Sequence, residues 1–173
     1  MNWIFRNLRV AAAGAAAAGV LAVSAAPALA LSCRPLEATD AYLAAAKSES
    51  VYNIIAGEVQ FDKARLPVSH AEDPNDTPPL TRIPARLTGK MLDGRYFSQR
   101  VNVPVVLEVE CLGPWCAGIE PGSDYMFFAQ QQGGALVIRV NACPGFVFPD
   151  TPQVRKQVID CHRGKACVPA LSR

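Results

Sequence analysis

Six cysteines constrain this chain more than any other feature: Cys33, Cys111, Cys116, Cys143, Cys161 and Cys167. An even cysteine count in a short exported chain reads as a disulfide framework. Six thiols allow fifteen pairings, so the sequence by itself does not settle the connectivity. Spacing narrows the choice. Cys111 and Cys116 flank the turn-forming Leu-Gly-Pro-Trp, and Cys161 and Cys167 flank His-Arg-Gly-Lys-Ala, so each pair can close a small loop. That leaves Cys33 with Cys143, about 110 residues apart. In chain-entropy terms a loop of that length is worth about 4.7 kcal/mol, the largest of the three. Zinc is disfavoured, because no paired Cys-x-x-Cys set is present and His70 and His162 lie in poor contexts. Trp115-Cys116 has the start of a thioredoxin-like motif, but Ile119 stands where its second cysteine belongs. No metal and no cofactor are therefore expected.

The cysteine argument needs an oxidising compartment, and residues 1–30 supply the address. Arg6 and Arg9 form a positive n-region, Val10 to Val23 is an Ala-rich apolar run, Pro27 breaks it, and Ala28-Leu29-Ala30 is a small-x-small cleavage site. This is the layout of a secretory signal peptide, cut after Ala30. The run is short for a span that needs about 20 apolar residues. Ala30-Leu31-Ser32-Cys33 has some likeness to a lipidation site at Cys33, but leucine is not at the expected place. The reading is a secreted or periplasmic protein with one domain over 31–173 and no membrane span. With Arg6 and Arg9 set aside, fifteen basic and fifteen acidic side chains remain. That balance gives no basic field for nucleic acid. The 151–173 stretch carries Arg155, Lys156, Arg163, Lys165 and Arg173 against Asp160, which reads as a solvated basic tail.

Periodicity places the elements. Pro35 suits a first helical turn, and 35–47 reads as a helix. Residues 51–61 are β-branched and aromatic, a strand with Gly57 marking a bulge or sharp bend. Residues 62–79, with four prolines, form a long loop. Residues 80–92 read as a strand moved toward an edge by Pro84. Val101, Val103, Val105, Leu107, Val109 and Cys111 alternate with Asn102, Pro104, Val106, Glu108 and Glu110, a half-buried strand with Pro104 at an edge or bulge. Tyr125–Gln130 and Ala135–Asn141 flank a Gly133-Gly134 hairpin turn. Thr151-Pro152 caps a C-terminal helix with Val154, Val158 and Cys161 on one stripe and Gly164 at its end. The fold class is mainly β with flanking helices, best met by a small antiparallel barrel of about five strands stapled by disulfides. A sandwich is the runner-up, since it usually needs more strands.

Ser32-Cys33-x-Pro35, a helix, and a strand ending Ile55-Ala56-Gly57-Glu58-Val59 resemble the opening of a netrin-like module. The later order is similar too: a long strand, a cysteine, Gly122-x-x-Tyr125-Met126-Phe127-Phe128, a strand, then Asn141-Ala142-Cys143. The likeness covers most of 32–145 and is to the N-terminal domains of tissue inhibitors of metalloproteinases. It implies an OB-like five-stranded barrel, and it also implies the Cys33–Cys143 pairing. The inhibitors chelate a protease zinc through the α-amine and carbonyl of a leading Cys-x-Cys. Leu31-Ser32-Cys33 stands at that place, so the backbone of Leu31 keeps the chelating atoms but lacks the thiol that would hold them. An unheld terminus loses preorganisation. The Cys111–Cys116 loop lies outside the family pattern.

Catalysis finds little footing. His70 sits in the Pro-rich loop, His162 lies beside Cys161, and Glu108 and Glu110 fall on the outer, solvated set of a strand. No Gly-x-Ser-x-Gly, His-Glu-x-x-His or Gly-rich phosphate loop is present. The functional expectation is a non-catalytic module that binds a protein partner, a protease being one candidate, through Leu31, Ser32 and Trp115. Trp115 has a second reading, as a cap on the barrel end. Phe146 and Phe148 read as core or lid residues. The sequence names neither partner nor oligomeric state.

Overall fold

The structure is a computed structural model that describes residues 32–34, 36–70, 72–73 and 76–169. Residues 1–30, where a signal peptide is expected, and Leu31, Pro35 and Arg173 lie outside the described residues. Helix α1, Ala38–Lys47, starts later than Pro35 suggests, because Glu37 and Asp40 form a reciprocal capping box in which Glu37 N donates to Asp40 Oδ2 at 2.9 Å. Helix α2, Pro152–His162, opens on the expected cap: Thr151 Oγ1 accepts from Val154 N at 3.2 Å. Gly164, at φ +70°, follows its end.

Among the described residues, seven strands make one sheet: β1 Tyr52–Phe61, β2 Leu80–Asp93, β3 Tyr96–Leu112, β4 Trp115–Cys116, β5 Asp124–Gln132, β6 Ala135–Val140 and β7 Val147–Pro149. β1, β2 and β3 pair antiparallel in succession. β5 and β6 form the expected hairpin through Gly133 and Gly134, at φ +56° and +83°. β5 also pairs with β1, so the pairings run β1-β2-β3-β6-β5 and return to β1. The all-antiparallel expectation is corrected at one point. β3 and β6 are parallel, Val105–Val109 against Leu136–Val140, because the chain crosses over through β4 and β5 before β6. β4 and β7 are too short for alternation to reveal them.

The two strand prolines obey the same rule. Pairing of β2 with β1 stops at Ala85, leaving Pro84 just beyond it, and pairing of β3 with β6 starts at Val105, just after Pro104. Each proline therefore has a ladder on one side only, where a missing N–H is tolerated. Gly57 has a different explanation from a bulge. It lies in register opposite Gly89, and a Cβ on Gly57 would stand 2.2 Å from the Thr88 carbonyl oxygen. The two backbones pass too closely for any side chain.

Alternate residues of β1 and β5 serve two apolar clusters. Ile55, Val59 and Phe127 join Ile83, Leu87, Leu107, Val109 and Ile138 inside the circuit of strands. Ala56, Met126 and Phe128 point the other way and pack under the helices with Ala38, Ala41, Phe148 and Val158. A strand buried on both faces reads as a continuous apolar run, which is how 125–129 looks in sequence. Phe148 is buried here and Phe146 packs against the same cluster, as core residues.

Candidate binding site at the disulfide-braced end of the sheet

Three bridges close: Cys33–Cys143, Cys111–Cys116 and Cys161–Cys167. The first two meet at one end of β3, and Glu110 joins them. Asn141 Nδ2 and Ala142 N donate to Glu110 Oε2 at 3.3 and 3.2 Å, so its carboxylate grips the residues leading into Cys143. Its carbonyl accepts from Ala117 N at 2.8 Å, just beyond Cys116. Next along the chain, Cys111 N donates to Pro79 O at 3.0 Å. Glu110 is therefore not a solvated outer residue. The partners that hold it lie about thirty residues away, and no local pattern announces them.

Trp115 stands on this frame. It pairs with Leu112 across the short β3–β4 ribbon, and Cys111 pairs with Cys116 beside it. Trp115 is 38% exposed and Leu112 is 40% exposed. Ser69 Oγ donates to Pro114 O, fastening the long loop to the turn next to the exposed Val68. Leu80, also exposed, lies in register opposite Glu110. Sequence reading picks out Trp115 but misses Val68, Leu80 and Leu112, which the register and the loop bring to the same end. Ser32 is exposed there too, one residue before Cys33 on its bridge to Cys143. Leu31 lies outside the described residues. The arrangement offers apolar side chains on a backbone that cannot relax far.

The remaining candidates separate. Glu108 is on the outer face of β3 but is 6% exposed, a correction to its solvated reading. Arg82 Nη2 at 2.7 Å and Arg139 Nε at 3.5 Å, on the flanking strands, cover its two oxygens. His70 donates its backbone N–H to Thr77 Oγ1 at 2.9 Å, closing the loop on itself. His162 Nδ1 and Tyr42 Oη share a 3.2 Å hydrogen bond that ties α2 to α1. Burial raises the Tyr42 phenol pKa. Both side chains line a pocket of about 320 Å³ with Tyr52, Leu92, Asp93 and Gln99. The basic tail is partly neutralised: Arg155 binds Asp150 with Nε at 2.8 Å, and Lys156 and Lys165 both bind Asp160. Among the described residues, no group of three or more His, Cys, Asp or Glu is placed to hold a metal, and no helix is long and apolar enough to cross a membrane. Compared with protein-family models, curated proteins and solved structures, the chain gives no match.

Proposed function

We propose that the chain is an exported, non-catalytic binding module of netrin-like type, built on an OB-like barrel, which grips a protein partner with its disulfide-braced end. The pairing circuit β1-β2-β3-β6-β5-β1 supports the barrel reading, since it leaves the five longer strands without a free end to the order. One observation carries the function. Trp115 and Leu112 stay exposed on a ribbon closed by Cys111–Cys116 and tied through Glu110 to Cys33–Cys143. Apolar side chains held on a rigid frame lose little freedom on binding, and tryptophan is prominent among interface anchors.

The test is cross-linking of the native protein and of Trp115→Ala to proteins of the same extracytoplasmic fraction. A discrete adduct on the native protein, lost in Trp115→Ala at an unchanged melting temperature, is the expected result. A lowered melting temperature with the adduct intact makes Trp115 a structural cap and ends this reading. A second reading, metalloprotease inhibition through a free Leu31, draws on Ser32 and Cys33 being pinned beside the Trp115 ribbon. Assays on zinc proteases with and without an extension before Leu31 decide it. Inhibition confined to the unextended form supports chelation; none in either form removes it.

A further inference from the structure

The opposite end of the β2–β3 hairpin collects cationic side chains that, among the described residues, form no ion pair. Outward residues alternate along β2 and face partners on β3: Arg82 opposite Glu108, Arg86 opposite Pro104, Thr88 opposite Asn102 and Lys90 opposite Arg100. Near the middle of the sheet, Glu108 serves Arg82 and Arg139. Toward the turn the carboxylates thin to two, Glu58 of β1 opposite Thr88 and Asp93 opposite Tyr96, and neither forms an ion pair with these cations. Arg86 Nη1 donates to the neutral Asn102 Oδ1 at 2.8 Å. Among the described residues, none of Arg86, Lys90, Arg95, Arg100 or Arg163 takes part in an ion pair. Asp93 is the sole acidic residue between Thr88 and Asn102.

Lys90 and Arg100 form a like-charge pair directly across the ladder, an unfavourable arrangement unless an anion sits between them. A depression of about 400 Å³ is lined by Lys90 and Arg100 together with Thr88, Gly89, Val101 and Asn102. Arg163 joins from beyond α2: its Nη2 donates to Arg95 O at 3.1 Å and its guanidinium lies 4.7 Å over the Tyr96 ring. Tyr96, the first residue of β3 after the turn, is 62% exposed. The sequence conceals this end because residues 31–173 carry fifteen basic and fifteen acidic side chains. The ion pairs among the described residues lie elsewhere, with Glu108, Glu120, Asp150 and Asp160 serving Arg82, Arg139, Lys63, Arg155, Lys156 and Lys165.

We infer that this hairpin end docks on an anionic bilayer surface, with Lys90, Arg95, Arg100 and Arg163 against lipid phosphates and Tyr96 in the headgroup layer. A soluble polyanion would account for the cations but not for an exposed tyrosine at the same end of the hairpin. A ring with an apolar body and a polar tip suits the boundary between headgroups and acyl chains. Each cation near such a surface contributes about 1 kcal/mol, a roughly fivefold gain in partitioning. The inference is independent of the proposed partner at Trp115, because the two surfaces lie at opposite ends of β3, about 50 Å apart along a strand of 17 residues.

The experiment is vesicle co-sedimentation of the purified exported protein. One set of vesicles is pure phosphatidylcholine; the other is one-third phosphatidylglycerol. Binding is expected on the anionic vesicles alone, weakening as salt rises from about 50 to about 500 mM. Lys90→Gln with Arg100→Gln should lower partitioning about 30-fold at an unchanged melting temperature. Tyr96→Ser should lower it several-fold, and Lys47→Gln with Arg65→Gln, the same charge change elsewhere, should leave it unaltered. All variants share one N-terminus, so differences among them report the hairpin. Absence of binding to anionic vesicles at low salt overturns the inference. So does equal binding by the hairpin variant. Capture by polyphosphate beads without vesicle binding also overturns it, and makes the face a site for a soluble polyanion.

Discussion

The two ends of β3 solve opposite problems. At Leu112 the strand is fixed by a disulfide to β4, by the Glu110 carboxylate to the segment before Cys143, and by Cys111 N to Pro79 O. At Tyr96 it is held by packing, with Phe97 in the helix-side cluster, Arg155 lying 5.3 Å over the Phe97 ring and Arg163 over Tyr96. One end presents apolar side chains on a frame with few degrees of freedom. The other presents long, unpaired cationic side chains that can adapt. Shape-specific contact with another protein suits the first, and diffuse attraction to a charged surface suits the second. A single strand can therefore carry two kinds of recognition if only one end is stapled.

The largest expected effect comes from unstapling. Cys33→Ser with Cys143→Ser removes a bridge spanning 110 residues, worth about 4.7 kcal/mol by loop entropy. Cys111→Ser with Cys116→Ser removes one spanning 5, worth about 2 kcal/mol by the same relation. Chemical unfolding of the two double variants should show the first losing clearly more stability. Equal losses would mean that local geometry at the braced end, rather than chain entropy, sets the value of these bridges.

Glu110→Ala comes next. It leaves Ala142 N and Asn141 Nδ2 without their acceptor while both disulfides stay closed. A loss of about 1–2 kcal/mol is expected, the range for a partly buried donor left unmade. Amide exchange should rise at Ala142 and Cys143 ahead of the rest of the sheet. Unchanged exchange there would show that the two bridges need no link between them, and the braced end would then be two separate staples.

How much of this was legible follows from what kind of signal each feature leaves. The cysteine loops, the Val101–Cys111 alternation, the Gly133-Gly134 turn and the Thr151 cap are local, and each appears in the structure where sequence patterning places it. Glu108 and Glu110 depart from the alternation pattern for one shared reason. Alternation assigns a residue to a face, but it says nothing about what lies on that face. Arg82, Arg139 and Ala142 come from other strands and loops and cover the two carboxylates. Gly57 is similar: a glycine in a strand signals an irregularity, while the close pass against Gly89 depends on register between distant segments. The cationic hairpin end is hidden by summation, because a net charge of only +2 is silent about where the unpaired charges gather.

Reversing one charge should sharpen the contrast between the ends. Arg100→Glu turns the like-charge pair with Lys90 into an opposite-charge pair across the ladder. Stability should rise by about 0.2–1 kcal/mol, the scale of an exposed cross-strand pair, and the gain should shrink with salt. Affinity for anionic vesicles should fall in the same protein. A stability loss would mean that Arg100 is tied into the turn by contacts other than charge.

The smallest effect concerns Asp160, which keeps two cations of the C-terminal segment occupied. Lys156 first, then Lys165, hold its carboxyl below the ordinary carboxylate range by hydrogen bonding and charge. They do so although Asp160 lies in the last turn of α2, where the helix dipole disfavours a negative charge. A carboxyl whose folded-state pKa is depressed adds stability above its unfolded value, and that contribution fades as pH falls through the folded value. The Asp160→Asn variant should therefore melt slightly below the native protein at neutral pH, and the two should converge in acid below the ordinary carboxylate range. Exposure of the lysines keeps the gap small, and salt should close it further. A gap that persists in acid would assign the role of Asp160 to its neutral hydrogen-bonding capacity rather than to its charge.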